Sequence, residues 1–239
     1  ITAQGWSLLG QAYFQLGTDK KSESEKLDYY EKALESMLNA VQTAELEEYK
    51  PKENWYVLMA ACYSELSSRI GKEESLYKQL DIYEILVNLY PKKMYFIQLG
   101  GIYGQLNREL DYMITLNAAY QKDLLDKESE YLALTQLLLL NNNPYWAAKV
   151  LEAGRIKKVP VIDEKTKKEK ILPVVKDNEK NLKLLADAWR MAQEIELAIP
   201  IMEKAARLAK DGQTFIILGS LYLSEDKLEE AVDAIEQGL

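Results

Sequence analysis

Apolar residues along the chain recur in a short pattern that predicts helices. In each instance an aromatic or apolar residue is followed by a leucine-like residue three positions later, then a small residue, then an aromatic or leucine three further on. These offsets place all four side chains on one helical stripe, and the small residue marks where a neighbouring helix comes close. The six instances are Trp6-Leu9-Gly10-Tyr13, Tyr56-Met59-Ala60-Tyr63, Phe96-Leu99-Gly100-Tyr103, Tyr131-Leu134-Thr135-Leu138, Leu182-Leu185-Ala186-Trp189 and Phe215-Leu218-Gly219-Tyr222.

The pattern returns every 33 to 51 residues, which is typical of a repeat protein. A second stripe follows each of the last three instances, and looser versions follow the first three. Each repeat is therefore predicted to be two antiparallel helices, which must stack on neighbouring repeats because neither helix can bury its stripe alone. Pro91 ends the second helix of the second repeat. The predicted repeats cover residues 3–50, 53–92, 93–126, 128–154, 179–212 and 212–239.

The motif and the stripe that follows it resemble the tetratricopeptide repeat family, without a gap over residues 131–154. The resemblance implies an all-α solenoid of about six helix-turn-helix repeats, about twelve helices, in a single superhelical domain over 1–239. Residues 89–104 and 180–199 further resemble tetratricopeptide proteins of TonB-type energy-transducing systems of Gram-negative cell envelopes. That second resemblance implies a periplasmic protein that assists a TonB, ExbB and ExbD complex, with the cytoplasm as the alternative location.

Histidine is absent from the 239 residues, and Cys62 is the only cysteine. The chain therefore has no Ser-His-Asp or Cys-His pair and no imidazole base or metal ligand. Cys62 lies in a helical stretch of the second repeat, which predicts a buried core side chain. We expect no enzymatic activity, no metal and no cofactor. The net charge of −8 disfavours a nucleic-acid partner, and no apolar run is long enough to insert into a membrane.

The segment 155–177 interrupts the repeats and has the opposite charge. Its two β-branched, proline-containing runs, 159–162 and 171–175, predict a β-hairpin or an ordered loop. Residues 155–176 include eight basic and three acidic side chains, in a chain with 30 Lys and Arg against 38 Asp and Glu. Two interpretations stay open, a hairpin lying against its own acidic repeats and an arm that binds a partner. The candidate contact residues are Arg155, Lys157, Lys158, Lys165, Lys167, Lys168 and Lys170.

In the tetratricopeptide family the first helix of each repeat lines a concave groove, and the resemblance carries groove positions onto this chain. They are Ile97, Gly101 and Gly104 in the third repeat, Leu132, Gln136, Leu139 and Leu140 in the fourth, and Lys183, Asp187 and Arg190 in the fifth. Each of the two glycines costs about 1 kcal/mol of helix propensity relative to alanine, which indicates that something approaches the backbone closely. We expect an apolar peptide or amphipathic helix there, with Lys183 and Arg190 meeting its acidic end. The alternative is a tightly wound array whose groove residues bury one another.

The function that these features favour is a non-catalytic scaffold or adaptor that presents its groove and inserted segment to other proteins. Two alternatives remain. The chain could serve as the substrate-recruiting accessory domain of a larger enzyme, or it could assemble with itself. Because the first and last helix pairs each have one neighbour only, we expect end-to-end stacking at high concentration.

Overall fold

The structure, a computed structural model, describes residues 2–162 and 167–239. These residues form thirteen helices and one two-stranded antiparallel sheet. The chain comprises two compact units, Ile1–Leu124 and Leu125–Leu239, which we call the N-terminal unit and the C-terminal unit.

The N-terminal unit contains three helix pairs. The side chain of Thr2 begins α1 by accepting a hydrogen bond from the Gly5 amide at 3.1 Å. Gly71 separates α4 from α5 with a φ of 96°, which glycine adopts without steric cost. Pro91 follows the end of the second helix of the second pair, as predicted. The helices are α1 (Ala3–Asp19), α2 (Glu23–Leu46), α3 (Glu53–Glu65), α4 (Ser67–Ile70), α5 (Lys72–Leu89), α6 (Lys93–Gln105) and α7 (Glu109–Gln121).

The C-terminal unit contains three further helix pairs and the inserted hairpin. Pro144 occupies the first turn of α9, where its missing N–H costs nothing, and the side chain of Asn178 caps α10 by accepting from the Asn181 amide at 2.9 Å. The elements are α8 (Glu128–Leu140), α9 (Pro144–Ile156), β1 (Lys158–Ile162), β2 (Glu169–Pro173), α10 (Glu179–Met191), α11 (Ile195–Leu208), α12 (Gln213–Ser224) and α13 (Leu228–Gly238).

The small residue of the motif lies where the two helices of a pair touch. A β-carbon built on Gly10 would lie 2.6 Å from Met37 Sδ, and one built on Gly219 would lie 2.5 Å from the Ile235 side chain. Both contacts are with the second helix of the same pair, and the large motif residues around them are half-buried, apart from Leu218, which is buried. The predicted fold class, an all-α array of helix pairs of the tetratricopeptide type with an inserted β-hairpin, is confirmed.

The last aromatic of the motif also joins successive pairs through a hydrogen bond that the pattern does not predict. The hydroxyl of Tyr222 on α12 donates to Glu203 Oε1 on α11 at 2.6 Å, and the hydroxyl of Tyr103 on α6 donates to Glu84 Oε1 on α5 at 2.6 Å. Burial and the hydrogen bond to Glu203 raise the pKa of Tyr222 to about 12. Each bond ties a first helix to the second helix of the preceding pair, so neighbouring repeats are linked by a directional contact as well as by apolar packing.

Glu53 at the start of α3 forms a polar link to the next first helix. Lys92 Nζ lies 2.7 Å from both Glu53 carboxylate oxygens, and the Tyr95 hydroxyl donates to Oε1. The hydrogen bonds from Lys92 and Tyr95 lower the pKa of Glu53 below its ordinary value of 4.5. The ionised carboxylate is therefore the form that the folded N-terminal unit favours.

We predict that replacing Glu53 with glutamine destabilises the N-terminal unit more at pH 7 than at pH 3. A carboxylate whose folded-state pKa is depressed contributes stability above its unfolded pKa, near 4.5, and loses it as pH falls through the folded value. Urea unfolding at both pH values measures the difference in free energy between wild type and Glu53→Gln. The exposed Glu35→Gln on α2 is the control. An equal difference at both pH values would contradict the prediction.

Candidate partner-binding surfaces

The first helices of the C-terminal unit expose apolar side chains on the face opposite their buried stripe. Leu140 at the end of α8 is 72% exposed, and Leu132 and Leu139 on the same helix are half-buried. Met191 ends α10 as an exposed side chain at the place that corresponds to Leu140. Leu223 is exposed on α12 at the place that corresponds to Leu139. We call the surface formed by these five residues the C-terminal apolar face.

Charged and polar groove residues lie on the same helices. Lys183 on α10 is half-buried, and Gln136 on α8 is exposed. Two turns beyond Lys183, Arg190 Nε donates to Asp187 Oδ1 at 3.4 Å, a pair of the i, i+3 type with both side chains partly open to solvent. Because such a pair is weak, Arg190 remains available to an anionic group of a ligand. The α10 helix therefore adds two cations to the C-terminal apolar face.

Leu223 is a candidate that the sequence prediction left out, although the signal was present. It stands eight residues after Phe215, and Leu139 and Arg190 stand eight residues after Tyr131 and Leu182. The same offset in each repeat places the three residues at equivalent points of their helices.

The groove residues of the N-terminal unit lie on helix α6, where two glycines leave the helix backbone exposed. Ile97 is half-buried, and Gly101 and Gly104 are exposed. A β-carbon on Gly101 would meet no atom within 4 Å, and one on Gly104 would meet only the Tyr112 ring, at 3.6 Å. In contrast, a β-carbon on Gly100 would lie 2.9 Å from Tyr112. Packing against α7 therefore requires glycine at position 100. At position 101 the described residues leave open space, so burial of groove residues by one another in a tightly wound array does not explain Gly101.

Each unit has a cavity next to its second helices, and the two cavities differ in the polarity of their walls. In the N-terminal unit a cavity of about 320 Å³ lies between α5, α6 and α7, with apolar walls that include Phe96, Leu99 and Ile114. In the C-terminal unit the corresponding cavity of about 290 Å³ is lined by Glu203 and Arg207 among other polar residues. Neither cavity belongs to the predicted groove, which lies on the first helices.

The base of the inserted hairpin is held firmly on the C-terminal unit. The guanidinium of Arg155 donates to both carboxylate oxygens of Asp177 at 2.6 and 2.8 Å, and Lys157 Nζ donates to the Leu125 carbonyl at 2.8 Å. Val175 is fully buried, and its amide donates to the Gly154 carbonyl at 2.9 Å. Of the two predicted forms of the insertion, a β-hairpin or an ordered loop, the structure has the hairpin, which rises from an ordered base.

The positive charge of the insertion is divided between this base and the strands. Arg155 and Lys157 are engaged at the base. The other candidate residues that the structure describes are exposed, namely Lys158, Lys167, Lys168 and Lys170. Lys165 lies outside the described residues. Residues 160–162 and 167–172 are exposed along their whole described length.

The described residues offer neither a reactive thiol nor a metal-binding cluster. Cys62 is buried, as predicted, and burial raises the pKa of its thiol to about 12, which keeps it protonated. Over residues 2–162 and 167–239, no group of carboxylates and thiols is arranged to hold a metal ion. Within the same ranges, none of the helices combines the length and the apolar character that crossing a bilayer requires.

Comparison with known proteins finds similar folds and no sequence family. No family model and no curated protein matches the chain. Among solved structures, it is similar to YrrB, a tetratricopeptide protein with an unusual peptide-binding site, at 14% identity over 86% of this chain and 91% of that one, with a TM-score of 0.49. It is also similar to MamA from Desulfovibrio magneticus RS-1, at 17% identity over 74% and 92% of the two chains and a TM-score of 0.45. A tetratricopeptide protein from Cytophaga hutchinsonii gives 17% identity, coverage of 95% and 76%, and a TM-score of 0.46. Likeness at this level does not carry the function of these proteins to this chain.

Proposed function

We propose that this chain is a non-catalytic scaffold that binds an acidic, amphipathic peptide or helix of a partner protein on the C-terminal apolar face. The observation that carries the proposal is the pair of exposed apolar side chains Leu140 and Met191 at equivalent places on α8 and α10. Exposed Leu223 lies at the neighbouring helical position of α12, and Lys183 and Arg190 lie on α10. Exposed apolar patches with a charged rim are typical of protein interaction sites. The absence of histidine and the buried, protonated thiol of Cys62 support a role without catalysis.

The chemistry of the face defines the ligand. Leu140, Met191 and Leu223 would be covered by apolar residues spaced three and four apart on a ligand helix. Lys183 and Arg190 would pair with carboxylates at one end of that helix, and Arg190 would exchange its weak contact with Asp187 for the ligand. The exposed backbone of α6 at Gly101 and Gly104 offers a second surface, on which a ligand backbone could approach without meeting a side chain.

We predict that charge reversal at Lys183 and Arg190 weakens binding of such a ligand at least about tenfold. The ligand is a helical peptide with apolar i, i+3, i+4 positions and an acidic end, selected from a display library on the full chain and then measured by calorimetry. Lys183→Glu with Arg190→Glu is the test variant. The control is Lys204→Glu on α11 with Lys210→Glu in the loop after α11, which changes the net charge equally in the same unit.

The outcome of that titration separates the proposal from nonspecific attraction. Equal weakening by Lys183→Glu with Arg190→Glu and by the control Lys204→Glu with Lys210→Glu would mean that overall charge and not this face attracts the ligand. Tight binding that survives both Lys183→Glu with Arg190→Glu and Leu140→Ser with Leu223→Ser would overturn the proposal. Weakening by the two face variants alone, together with a salt dependence that Lys183→Glu with Arg190→Glu removes, is the expected result.

The finer version of the proposal is that the partner belongs to a TonB-type envelope complex. Its support is the resemblance of residues 89–104 and 180–199 to tetratricopeptide proteins of such systems. Co-purification of TonB, ExbB or ExbD with the wild-type chain, but not with the Lys183→Glu, Arg190→Glu variant, is the result expected from native envelope fractions. Recovery of none of the three by the wild-type chain would remove this version and leave the general scaffold role.

A further inference from the structure

The inserted hairpin exposes one of its faces far more than the other. Residues paired in its register share a face, and successive pairs alternate between faces. On one face Ile162 and Ile171 are 68% and 71% exposed, whereas Val161 and Leu172 on the other are 41% and 38% exposed. We call the more open one the outer face, and its residues are Lys158, Pro160, Ile162, Glu169, Ile171 and Pro173.

Both edges of the hairpin have a proline where a further strand would need a donor. The Val174 amide donates to the Lys157 carbonyl at 2.9 Å, which makes these residues a hydrogen-bonded pair, and such pairs alternate along an antiparallel ladder. Pro160 on β1 and Pro173 on β2 fall in the intervening pairs, whose backbone groups point away from the partner strand. Because proline has no N–H, each edge lacks one of the three outward-facing positions that could donate to another strand, which disfavours strand addition. A binding partner therefore meets the outer face and not an edge.

The outer face is complementary to itself in charge. Lys158 lies in the row nearest the base, Glu169 lies in the row nearest the tip, and Pro160 and Ile171 form an apolar row between them. Lys158 and Glu169 form no ion pair with any residue that the structure describes. Two copies can meet outer face to outer face, related by a twofold axis that lies in the plane between the faces and runs perpendicular to the strands. This axis places the base row of each copy over the tip row of the other. Lys158 of each copy then comes within a lysine side chain's reach of Glu169 of the other.

We propose that the outer face of the hairpin is a homodimer contact, whose occupant is the same face of a second copy of this chain. A contact of this type is isologous, so each favourable pair occurs twice. The apolar row of one copy covers that of the other and removes Ile171 from water, and Ile162 is covered by the base row of the other copy. A two-stranded hairpin is at best marginally stable on its own, and its packing on a second hairpin supplies the layer that it lacks.

The size of the face sets the strength of the dimer. Two five-residue strands cover much less than the roughly 800 Å² per partner of a standard stable interface. We therefore expect a weak dimer, with a Kd of the order of 100 µM for the isolated chain. The contact between Arg155 and Asp177 already orders the base of the hairpin, so the base loses little conformational entropy on association.

The test is a charge swap measured by sedimentation equilibrium of the full chain. Lys158→Glu alone and Glu169→Lys alone each turn two attractive contacts into repulsive ones, so each should raise Kd about tenfold or more. The double variant Lys158→Glu, Glu169→Lys restores both contacts in reverse and should return Kd to near the wild-type value. Lys210→Glu in the loop after α11, which changes the net charge as Lys158→Glu does, should leave Kd within about twofold of the wild-type value.

Each other outcome counts against the proposal. A chain that stays monomeric up to millimolar concentration has no such contact. A dimer that is insensitive to all three hairpin variants forms elsewhere, for example by stacking of the terminal helix pairs. A double variant as weak as the single ones rules out the pairing of Lys158 with Glu169. Circular dichroism of every variant establishes that the fold is retained.

Discussion

Replacing Trp189 with alanine should remove about 3–5 kcal/mol from the free energy of unfolding of the C-terminal unit. The side chain is 1% exposed and lies between α9 and α10. Its indole N–H donates to Glu152 Oε1 at 3.2 Å, the Tyr145 ring meets it edge-on at 5.5 Å, and Lys149 Nζ lies 5.1 Å from the ring centroid. Loss of this residue therefore removes apolar packing, an aromatic contact and a hydrogen bond between two repeats at once.

Trp146 provides the matched control for this prediction. It lies on α9 in the same unit but is 57% exposed, so Trp146→Ala should cost less than about 1 kcal/mol. Urea unfolding followed by circular dichroism gives the free energies, and hydrogen exchange locates the loss of protection within residues 125–239. Similar costs for the two variants would show that the contact between the fourth and fifth repeats does not depend on the buried indole.

Replacing Gly154 with alanine should destabilise the C-terminal unit by about 1–3 kcal/mol. The new β-carbon would lie 2.5 Å from Val175 Cγ2 and 2.7 Å from the Tyr131 ring, and both neighbours are buried. The Gly154 carbonyl also accepts the Val175 amide, so any shift that relieves the clash disturbs the base of the hairpin. The steric cost outweighs the gain of about 1 kcal/mol in helix propensity that alanine brings.

Gly101→Ala is the control, because it makes the same chemical change in a helix where the added methyl meets nothing. We expect it to raise the free energy of unfolding of the N-terminal unit by about 0.5–1 kcal/mol. Denaturant unfolding of both variants measures whether each substitution raises or lowers the free energy of unfolding. If both substitutions stabilise the chain, the close packing of α9 against Val175 and Tyr131 is not as the structure has it.

The sequence predicts the helix pairs well because their signal is local. The offsets of three, four and seven residues depend only on helix geometry, and the small residue at Gly10 or Gly219 marks the contact with the second helix. The insertion is predicted as a β-hairpin or an ordered loop, because its two β-branched, proline-containing runs are typical of strands and not of repeat helices. These features need no knowledge of how distant residues meet.

Features that depend on contacts between residues far apart in the sequence could not be predicted from it. Glycines 100 and 101 are adjacent and identical as letters, and only the position of Tyr112 on α7 shows that the first is packed and the second is open. The bond from Tyr103 to Glu84 joins residues 19 apart whose meeting depends on the rotation of two helices. The basic insertion is one charge block in the sequence, but in the fold its first residues are engaged at the base and the others reach solvent.

The burial of Cys62 makes the chain convenient for thiol labelling. A protonated, inaccessible sulfhydryl does not react with maleimides in the folded state, so any cysteine introduced on the surface becomes the sole labelled position. Spin labels or fluorophores on α6 and α10 would then report the separation of the two units without prior removal of the native thiol. Slow modification of Cys62 itself would measure how often the second helix pair opens.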